Sequence, residues 1–151
     1  MGKRIFLSQV FGSPVPLLFP KRNLIEFHRF GETQQLDAIV FIGPVDDLQG
    51  KPYGRSLRSY ARASLESLLS PRKIWLKESQ IELAELNGKP CATATVSYEI
   101  SKVGQVKGEF YLVIKDEKGF NMGYTAVPSE FDQYREEAMS IIQSFRFLES
   151  K

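Results

Sequence analysis

The sequence predicts an α+β domain, in which a mainly antiparallel sheet is flanked by helices. Three stretches in its second half support this fold class. Two of them, NGKPCATATVSYEI and GEFYLVIKDEKGFNMGYTAV, have the turn signals and strand-forming residues of β-hairpins. The third, PSEFDQYREEAMSIIQSFRF, has the apolar spacing of an amphipathic helix. A second amphipathic helix lies upstream, and a layered domain buries one face of each helix.

The first strands are predicted in two short apolar segments, residues 24–30 and 38–42, which are rich in Ile, Val and Phe. The polar turn GETQQ joins them, and Gly43-Pro44 ends the second. The stretch PVDDLQGKPYG that follows is predicted to be a loop, because it contains two prolines and two glycines.

The first helix is predicted to begin after Ser56, whose hydroxyl suits an N-cap, and to end before Pro71. Its apolar stripe spans about half of the helix circumference, which is enough to pack against a sheet. The stripe consists of Leu57, Tyr60, Ala61, Ser64, Leu65, Leu68 and Leu69.

Four antiparallel strands are predicted next. The strand at residues 79–86 turns at Asn87-Gly88, where both residues tolerate the positive φ of a two-residue hairpin. Its partner strand alternates between a buried and a polar face. The buried set is Ala92, Ala94, Val96, Tyr98 and Ile100, and the polar set is Cys91, Thr93, Thr95, Ser97 and Glu99. Strands at 109–115 and 120–126 follow, joined by a turn from Asp116 to Gly119.

The last helix is predicted to be capped by Ser129, with Asp132 three residues later completing a pair that resembles a capping box. Acidic Glu130 and Asp132 lie in its first turn, where the helix dipole favours negative charge. Its apolar face consists of Phe131, Tyr134, Ala138, Ile141, Ile142 and Phe145.

The composition excludes several functional classes. A length of 151 residues, 42% of them hydrophobic and 25% charged, indicates one globular domain. The net charge of +2 lacks the basic excess that nucleic-acid binding requires, so no nucleic-acid partner is expected. The single cysteine, Cys91, excludes an internal disulfide and a cysteine-rich zinc site. No stretch approaches the ~20 apolar residues of a membrane span, so no integral membrane segment is expected.

Residues 1–20 form an apolar lead-in that is predicted to add a strand or hairpin, and residues 21–148 form a single domain. The start of the lead-in loosely imitates a signal peptide, but Pro14 and Pro16 interrupt its apolar run and no cleavage site follows. A cytoplasmic protein is therefore expected, or an exported one if the natural N-terminus has been removed.

The second half of the chain combines several features of one known family. It contains the ATATVSYE alternation after Asn87-Gly88, a hairpin centred on GEFYLVI, a strand ending in GYTAVPSEFDQY, and a closing helix that ends in Ser144-Phe145. In these features residues 57–147 resemble the PsbP/Mog superfamily, and small bacterial domains of PsbP type in particular.

The resemblance implies an α/β/α sandwich and non-enzymatic binding or assembly work. Members of the superfamily include an extrinsic subunit of photosystem II, a factor that binds the Ran GTPase, and Eag-type chaperones of type VI secretion effectors. The resemblance transfers no individual functional residue to this sequence, and it implies a protein partner.

Candidate catalytic residues are few, and no cofactor or metal is expected. His28 is the only histidine, and no Ser, Cys or carboxylate is placed by the sequence to form a relay with it, so a structural or a surface histidine is predicted. Cys91 has one adjacent cation, Lys89, which favours an unreactive thiol. Gly54, Arg55 and Ser56 precede a helix but lack the spacing of a phosphate loop, and predict at most a generic anion site.

Two surfaces are predicted to bind a partner. Arg55, Arg58 and Arg62 recur along one flank of the first helix; alternatively that flank is solvated, with Arg62 and Glu66 paired. The apolar lead-in, with Phe6, Phe11 and Phe19, either packs on the sheet as a hairpin or offers an edge to a partner or a second copy. The sequence does not decide between a monomer and a homodimer.

A small-molecule-binding domain or an enzyme is the alternative to a protein-binding domain. It would use a pocket between sheet and helix, lined by Trp75, Tyr98, Tyr111 and Tyr124. A deep cavity holding perturbed titratable groups would favour this alternative, whereas an apolar surface patch would favour a protein-binding domain.

Overall fold

The computed structural model describes residues 8–10, 13–14, 25–30, 36–43, 45–69, 80–100 and 104–145. Nine strands lie in these residues: β1 (Ser8–Val10), β2 (Ser13–Pro14), β3 (Ile25–Phe30), β4 (Leu36–Ile42), β5 (Asp46–Asp47), β6 (Glu82–Leu86), β7 (Lys89–Ile100), β8 (Gly104–Lys115) and β9 (Lys118–Ala126). The two α-helices are α1 (Leu57–Leu69) and α2 (Phe131–Ser144). Short 3-10 helices, Pro52–Arg55 and Pro128–Glu130, precede them.

The strands form one sheet in the order β2-β1-β3-β4-β9-β8-β7-β6, and β5 pairs with β9 beside this path. Every pairing is antiparallel except that of β1 with β3. The predicted α+β class is therefore confirmed. Among the described helices, neither has the length and hydropathy of a membrane-spanning helix.

Two-residue turns join β6 to β7 and β8 to β9. Asn87 and Gly88 adopt φ values of 54° and 75°, as predicted for the hairpin between β6 and β7. The turn between β8 and β9 is shorter than predicted, because Asp116 and Glu117 both adopt positive φ and Lys115 already pairs with Lys118. Gly119, predicted to lie in the turn, therefore belongs to β9.

The sheet divides the apolar side chains into two cores, one under each helix. The predicted buried set of β7, from Ala92 to Tyr98, packs under α1 in what we call the α1-side core. The opposite face was predicted to be polar, but Cys91 on β7 is fully buried under α2, in the α2-side core. Residues 110–113 of β8 are all buried, since helices cover that strand on both faces.

Helix α1 begins as predicted. The Ser56 hydroxyl oxygen accepts a hydrogen bond from the Ser59 backbone N–H at 3.1 Å, which is the N-cap arrangement. Tyr60, Ala61, Leu65 and Leu69 of the predicted stripe are buried in the α1-side core.

Helix α2 buries the predicted apolar face but begins differently. Ser129 lies inside the 3-10 helix Pro128–Glu130, and no side chain caps α2, so the predicted capping pair is wrong. A backbone bond from the Glu130 N–H to the Val127 carbonyl (2.9 Å) supplies the local turn instead. Phe131, Ala138 and Ile142 are buried in the α2-side core.

The segment predicted to be a loop before α1 contains regular structure. Asp46 and Asp47 form β5, which pairs with Gly119 and Lys118 of β9. The Leu48 N–H then donates to the Glu117 carbonyl at 2.9 Å, so the segment is fastened to the β8–β9 turn. The prediction failed because two polar residues have no strand pattern of their own; the edge of β9 orders them.

Glycine at position 119 is required by a close approach of α1 to β9. A Cβ atom there would lie 2.3 Å from the Tyr60 Cζ atom. We therefore expect Gly119→Ala to lower the free energy of unfolding by about 1–3 kcal/mol, measured by urea denaturation.

The same substitution in a Tyr60→Val background is the decisive control, because the smaller side chain removes the overlap. The cost of Gly119→Ala should then be close to zero. Gly50→Ala, at a positive-φ position with open space around it, should cost the same in both backgrounds. An unchanged cost of Gly119→Ala in the two backgrounds would contradict this packing.

Candidate functional site

A charged cluster ties α2 to the sheet. Glu109 on β8 is buried, and its carboxylate accepts hydrogen bonds from Arg135 Nε (2.9 Å) and Arg135 Nη2 (2.8 Å) of α2. The Tyr111 hydroxyl donates to the same carboxylate. Beside them, the Lys107 ammonium lies 4.5 Å from the centre of the Phe131 ring. The two hydrogen bonds between Arg135 and Glu109 fix the position of α2 along β8.

The titration of Glu109 reflects its partners. Burial alone would raise the pKa of Glu109, but the hydrogen bonds from Arg135 and Tyr111 outweigh burial and hold the pKa below its usual value. Burial and the adjacent Glu109 carboxylate raise the pKa of Tyr111. Glu109 is therefore ionised and Tyr111 protonated near neutral pH, which suits a structural contact and leaves no group ready to exchange a proton.

A second polar contact positions α1. The Tyr60 hydroxyl donates to Asp46 Oδ2 at 2.7 Å, linking α1 to β5. Burial and the hydrogen bond to Asp46 raise the pKa of Tyr60, so its hydroxyl remains a donor. The buried Tyr60 side chain thus holds α1 against the sheet, and its protonated hydroxyl is unsuited to act as a base or nucleophile.

His28 has a carboxylate partner that the sequence reasoning missed. Its Nε2 lies 2.7 Å from Glu26 Oε1, because residues two apart on a strand share one face. The alternation of β3 was the signal that could have identified this pair. Both side chains are at most 1% exposed, so a substrate has no access to the imidazole, and the contact supports the structural alternative over a surface histidine.

Cys91 is fully buried beneath α2. Burial raises the pKa of its thiol, which disfavours the reactive thiolate. Within the described residues, no three His, Cys, Asp or Glu side chains are placed to hold a metal ion together.

The predicted aromatic pocket is wrong for the three tyrosines that the structure describes. Tyr98 belongs to the α1-side core, where its hydroxyl lies 2.7 Å from Thr125 Oγ1. Tyr111 and Tyr124 belong to the α2-side core, on the other face of the sheet. The fourth residue, Trp75, lies outside the described residues. The register of β7 with β8 determines which tyrosines lie on the same face of the sheet. The pattern within a single strand does not reveal that register.

An apolar recess lies between α2 and strands β3 and β4. Phe27, Tyr124, Tyr134 and Ile141 are among the residues that line it. Its volume of about 20 Å³ accommodates roughly one water molecule, which is too little for a metabolite.

The structure places the three predicted arginines on and beside α1. Arg58 Nη1 donates to the Ile81 carbonyl oxygen at 2.8 Å, beside β6. Arg62 Nε donates to Glu66 Oε1 at 3.0 Å, the i, i+4 pair of the solvated alternative. Arg55 lies one turn earlier, exposed in the 3-10 helix. Phe6, Phe11 and Phe19 of the second predicted surface lie outside the described residues, so that surface stays a prediction.

The predicted anion site, Gly54, Arg55 and Ser56, has its glycine and its serine engaged in contacts within the fold. Gly54 lies against Leu48, whose Cβ would be 2.8 Å from an added Cβ. The Ser56 hydroxyl both accepts from the Ser59 N–H and donates to the Ser59 hydroxyl. Arg55, although exposed, therefore has no free serine hydroxyl beside it with which to share an anion.

The outer edge of β6 is a surface that sequence reasoning missed. Within the described part of the chain, β6 is at the end of the sheet and pairs with β7 alone. Four of its five residues are exposed, and Leu83, at 56%, is the most exposed of the large apolar side chains found exposed. Arg58 lies beside it. We call Arg58, Glu82, Leu83, Ala84 and Glu85 the β6 edge surface.

The charged cluster at α2 makes a prediction about stability and pH. We expect Glu109→Gln to lower the free energy of unfolding at pH 7 by about 1–2 kcal/mol, since Arg135 is half-exposed and water screens part of the interaction. Because the folded-state pKa of Glu109 is depressed, its stabilisation is complete above the ordinary value of 4.5 and is lost as pH falls through the folded-state value.

Urea denaturation of wild type and Glu109→Gln at pH 7 and at about pH 3 measures this dependence. The difference in free energy of unfolding between the two proteins should be smaller at the lower pH. Glu136→Gln, on the exposed side of α2, is the matched control and should have little effect. If the difference in free energy of unfolding between the two proteins does not change with pH, the charge of Glu109 does not contribute to stability.

The burial of Cys91 predicts slow modification. A thiol-specific aromatic disulfide reagent should label the native protein no faster than the chain unfolds, and should label it at once in denaturant. Stoichiometric labelling of the native protein within a minute would show that the thiol is accessible.

No family model matches the chain, and no curated protein matches it. Among solved structures, the chain is similar to PA94 from Pseudomonas aeruginosa, described as a protein of unknown function and a candidate regulator. The two are 12% identical, with a TM-score of 0.52 over 75% of this chain and 74% of that one. At this identity the similarity concerns the fold alone.

Proposed function

We propose that this chain is a non-enzymatic protein-binding domain of PsbP/Mog type that serves assembly or chaperone work. The resemblance of residues 57–147 to that superfamily motivates the proposal. The sheet with one helix on each face is compatible with the α/β/α sandwich that the resemblance implies.

The observation that carries the proposal is the exposed outer edge of β6. An open strand edge presents backbone donors and acceptors to another protein, and proteins ordinarily shorten, charge or cover such edges. The β6 edge is short and carries two glutamates, Glu82 and Glu85, but it also carries an exposed leucine, Leu83. Strand addition to an exposed edge is a recurring mode of protein recognition, in which the backbone supplies affinity and alternate side chains supply specificity.

The basic flank of α1 contributes to the same surface. The Arg58 guanidinium is held beside β6 by the Ile81 carbonyl, so its charge is presented at the edge of the sheet. The ionisable groups of the two cores, by contrast, are engaged in positioning: Glu109 holds α2 and Asp46 holds α1. Both the exposed position of Arg58 and the engagement of Glu109 and Asp46 within the fold are consistent with a partner that binds at the surface.

A photocrosslinking amino acid at position 83 tests the proposal in lysate of the source cells. A single protein captured in near-stoichiometric yield is expected, and it should be lost when the crosslinker is moved to position 45. Val45 is a matched control because it is also exposed and apolar, at 45%, but lies beside β5.

Competition completes the test. Unlabelled wild-type chain should suppress capture at position 83, whereas unlabelled Leu83→Lys should not, because a lysine at the edge opposes strand addition. Capture of nothing above background, or equal suppression by both competitors, would contradict binding at the β6 edge.

A further inference from the structure

We infer that the partner of the β6 edge surface is a second copy of this chain, joined by antiparallel pairing of β6 with β6 about a two-fold axis at Leu83. This inference rests on the proposed function, because it names the partner at the same surface. The arrangement follows from the hydrogen-bond register of β6 and from the charges on either side of Leu83.

The register of the β6–β7 hairpin decides which backbone groups face outward. In a two-residue turn the flanking residues, Leu86 and Lys89, exchange backbone hydrogen bonds, and the bonded pairs then alternate along the hairpin. Glu85 faces Pro90, which has no N–H, at a non-bonded position. By the same alternation the N–H and C=O groups of Leu83 and Glu85 point away from β7.

An added strand must therefore form its hydrogen-bonded pairs at Leu83 and Glu85. If the bonded pair at the centre is made between these two positions, two copies related by a two-fold axis have three antiparallel registers. One centres on Glu85 and places two glutamates opposite each other, which is destabilising. A second places Leu83 opposite Glu85 and leaves Arg58 without an acidic partner. A register that pairs Leu83 with Ile81 is centred on Glu82 and likewise places two glutamates opposite each other.

The third register, centred on Leu83, places no like charges directly opposite each other and gives Arg58 an acidic partner. Leu83 then faces Leu83 of the second copy, and Glu85 faces Ile81. Because Arg58 Nη1 is 2.8 Å from the Ile81 carbonyl oxygen, the Glu85 carboxylate of the second copy is brought to Arg58, and the two-fold axis repeats this contact. On the opposite face Glu82 meets Ala84, so no like charges are opposed.

The helices leave room for this pairing. A two-fold axis perpendicular to the sheet puts both α1 helices on the same face, each packed on its own β7 and β8. The two β7 strands are separated by three inter-strand spacings, about 14 Å, while two packed helices need only about 8–10 Å between axes. Symmetric pairing of one patch with itself is also the commonest form of homo-oligomer.

Sedimentation equilibrium of the full chain tests the inference by charge exchange. Arg58→Glu and Glu85→Arg should each weaken dimerisation at least tenfold, because each opposes like charges at both ends of the seam. The double variant should recover most of the wild-type affinity, since it restores opposite charges. Leu83→Lys should also weaken dimerisation, whereas Arg62→Glu and Val45→Lys should not.

Circular dichroism of each variant separates loss of dimer from loss of fold. A wild-type chain that stays monomeric to several hundred micromolar overturns the inference, as does a double variant no better than the single ones. If the chain is monomeric but position 83 captures a different protein, the proposed function stands and the second copy is excluded. If it is monomeric and position 83 captures nothing, both fail.

Discussion

The constraint on which the rest of the structure depends is that β8 and β9 bury side chains on both faces. Residues 110–113 of β8 alternate between the two cores, so neither face can be left to water. One helix must therefore cover each face, and the chain supplies one before β6 and one after β9. The layered architecture follows from this requirement, because an uncovered face would expose a row of large apolar side chains.

The polar contacts complete this architecture. Apolar packing alone allows a helix to slide along a sheet, whereas a two-point contact such as that of Arg135 with Glu109 fixes its position. The Tyr60–Asp46 hydrogen bond does the same for α1, and the missing side chain of Gly119 lets Tyr60 approach β9. These groups resemble candidate catalytic residues in type, but their partners and burial give them positioning roles.

Local features of the fold were predictable from the sequence, and features set by pairing were not. The Asn87-Gly88 turn and the Ser56 cap depend on neighbouring residues, so their signals are complete within a few positions. The bond between Glu109 and Arg135 spans 26 residues, and the separation of Tyr98 from Tyr111 depends on how β7 aligns with β8. Likewise, the exposure of β6 depends on strand order, which no pattern within β6 reveals.

The candidate binding surface follows from that strand order. Strands in the middle of the sheet have both backbone edges paired. Within the described residues, β6 pairs on one side only, and its outward groups lie between the charges of Arg58 and Glu85. A surface of this kind binds through backbone geometry and needs no reactive group.

Amide hydrogen exchange of the dilute protein, followed residue by residue, tests this central claim most directly. The N–H groups of Glu82 and Ala84, which point toward β7, should be protected, whereas those of Leu83 and Glu85 should exchange at nearly the rate of an unstructured chain. Equal protection of all four amides at high dilution would show that the chain itself covers the edge, and would contradict the account.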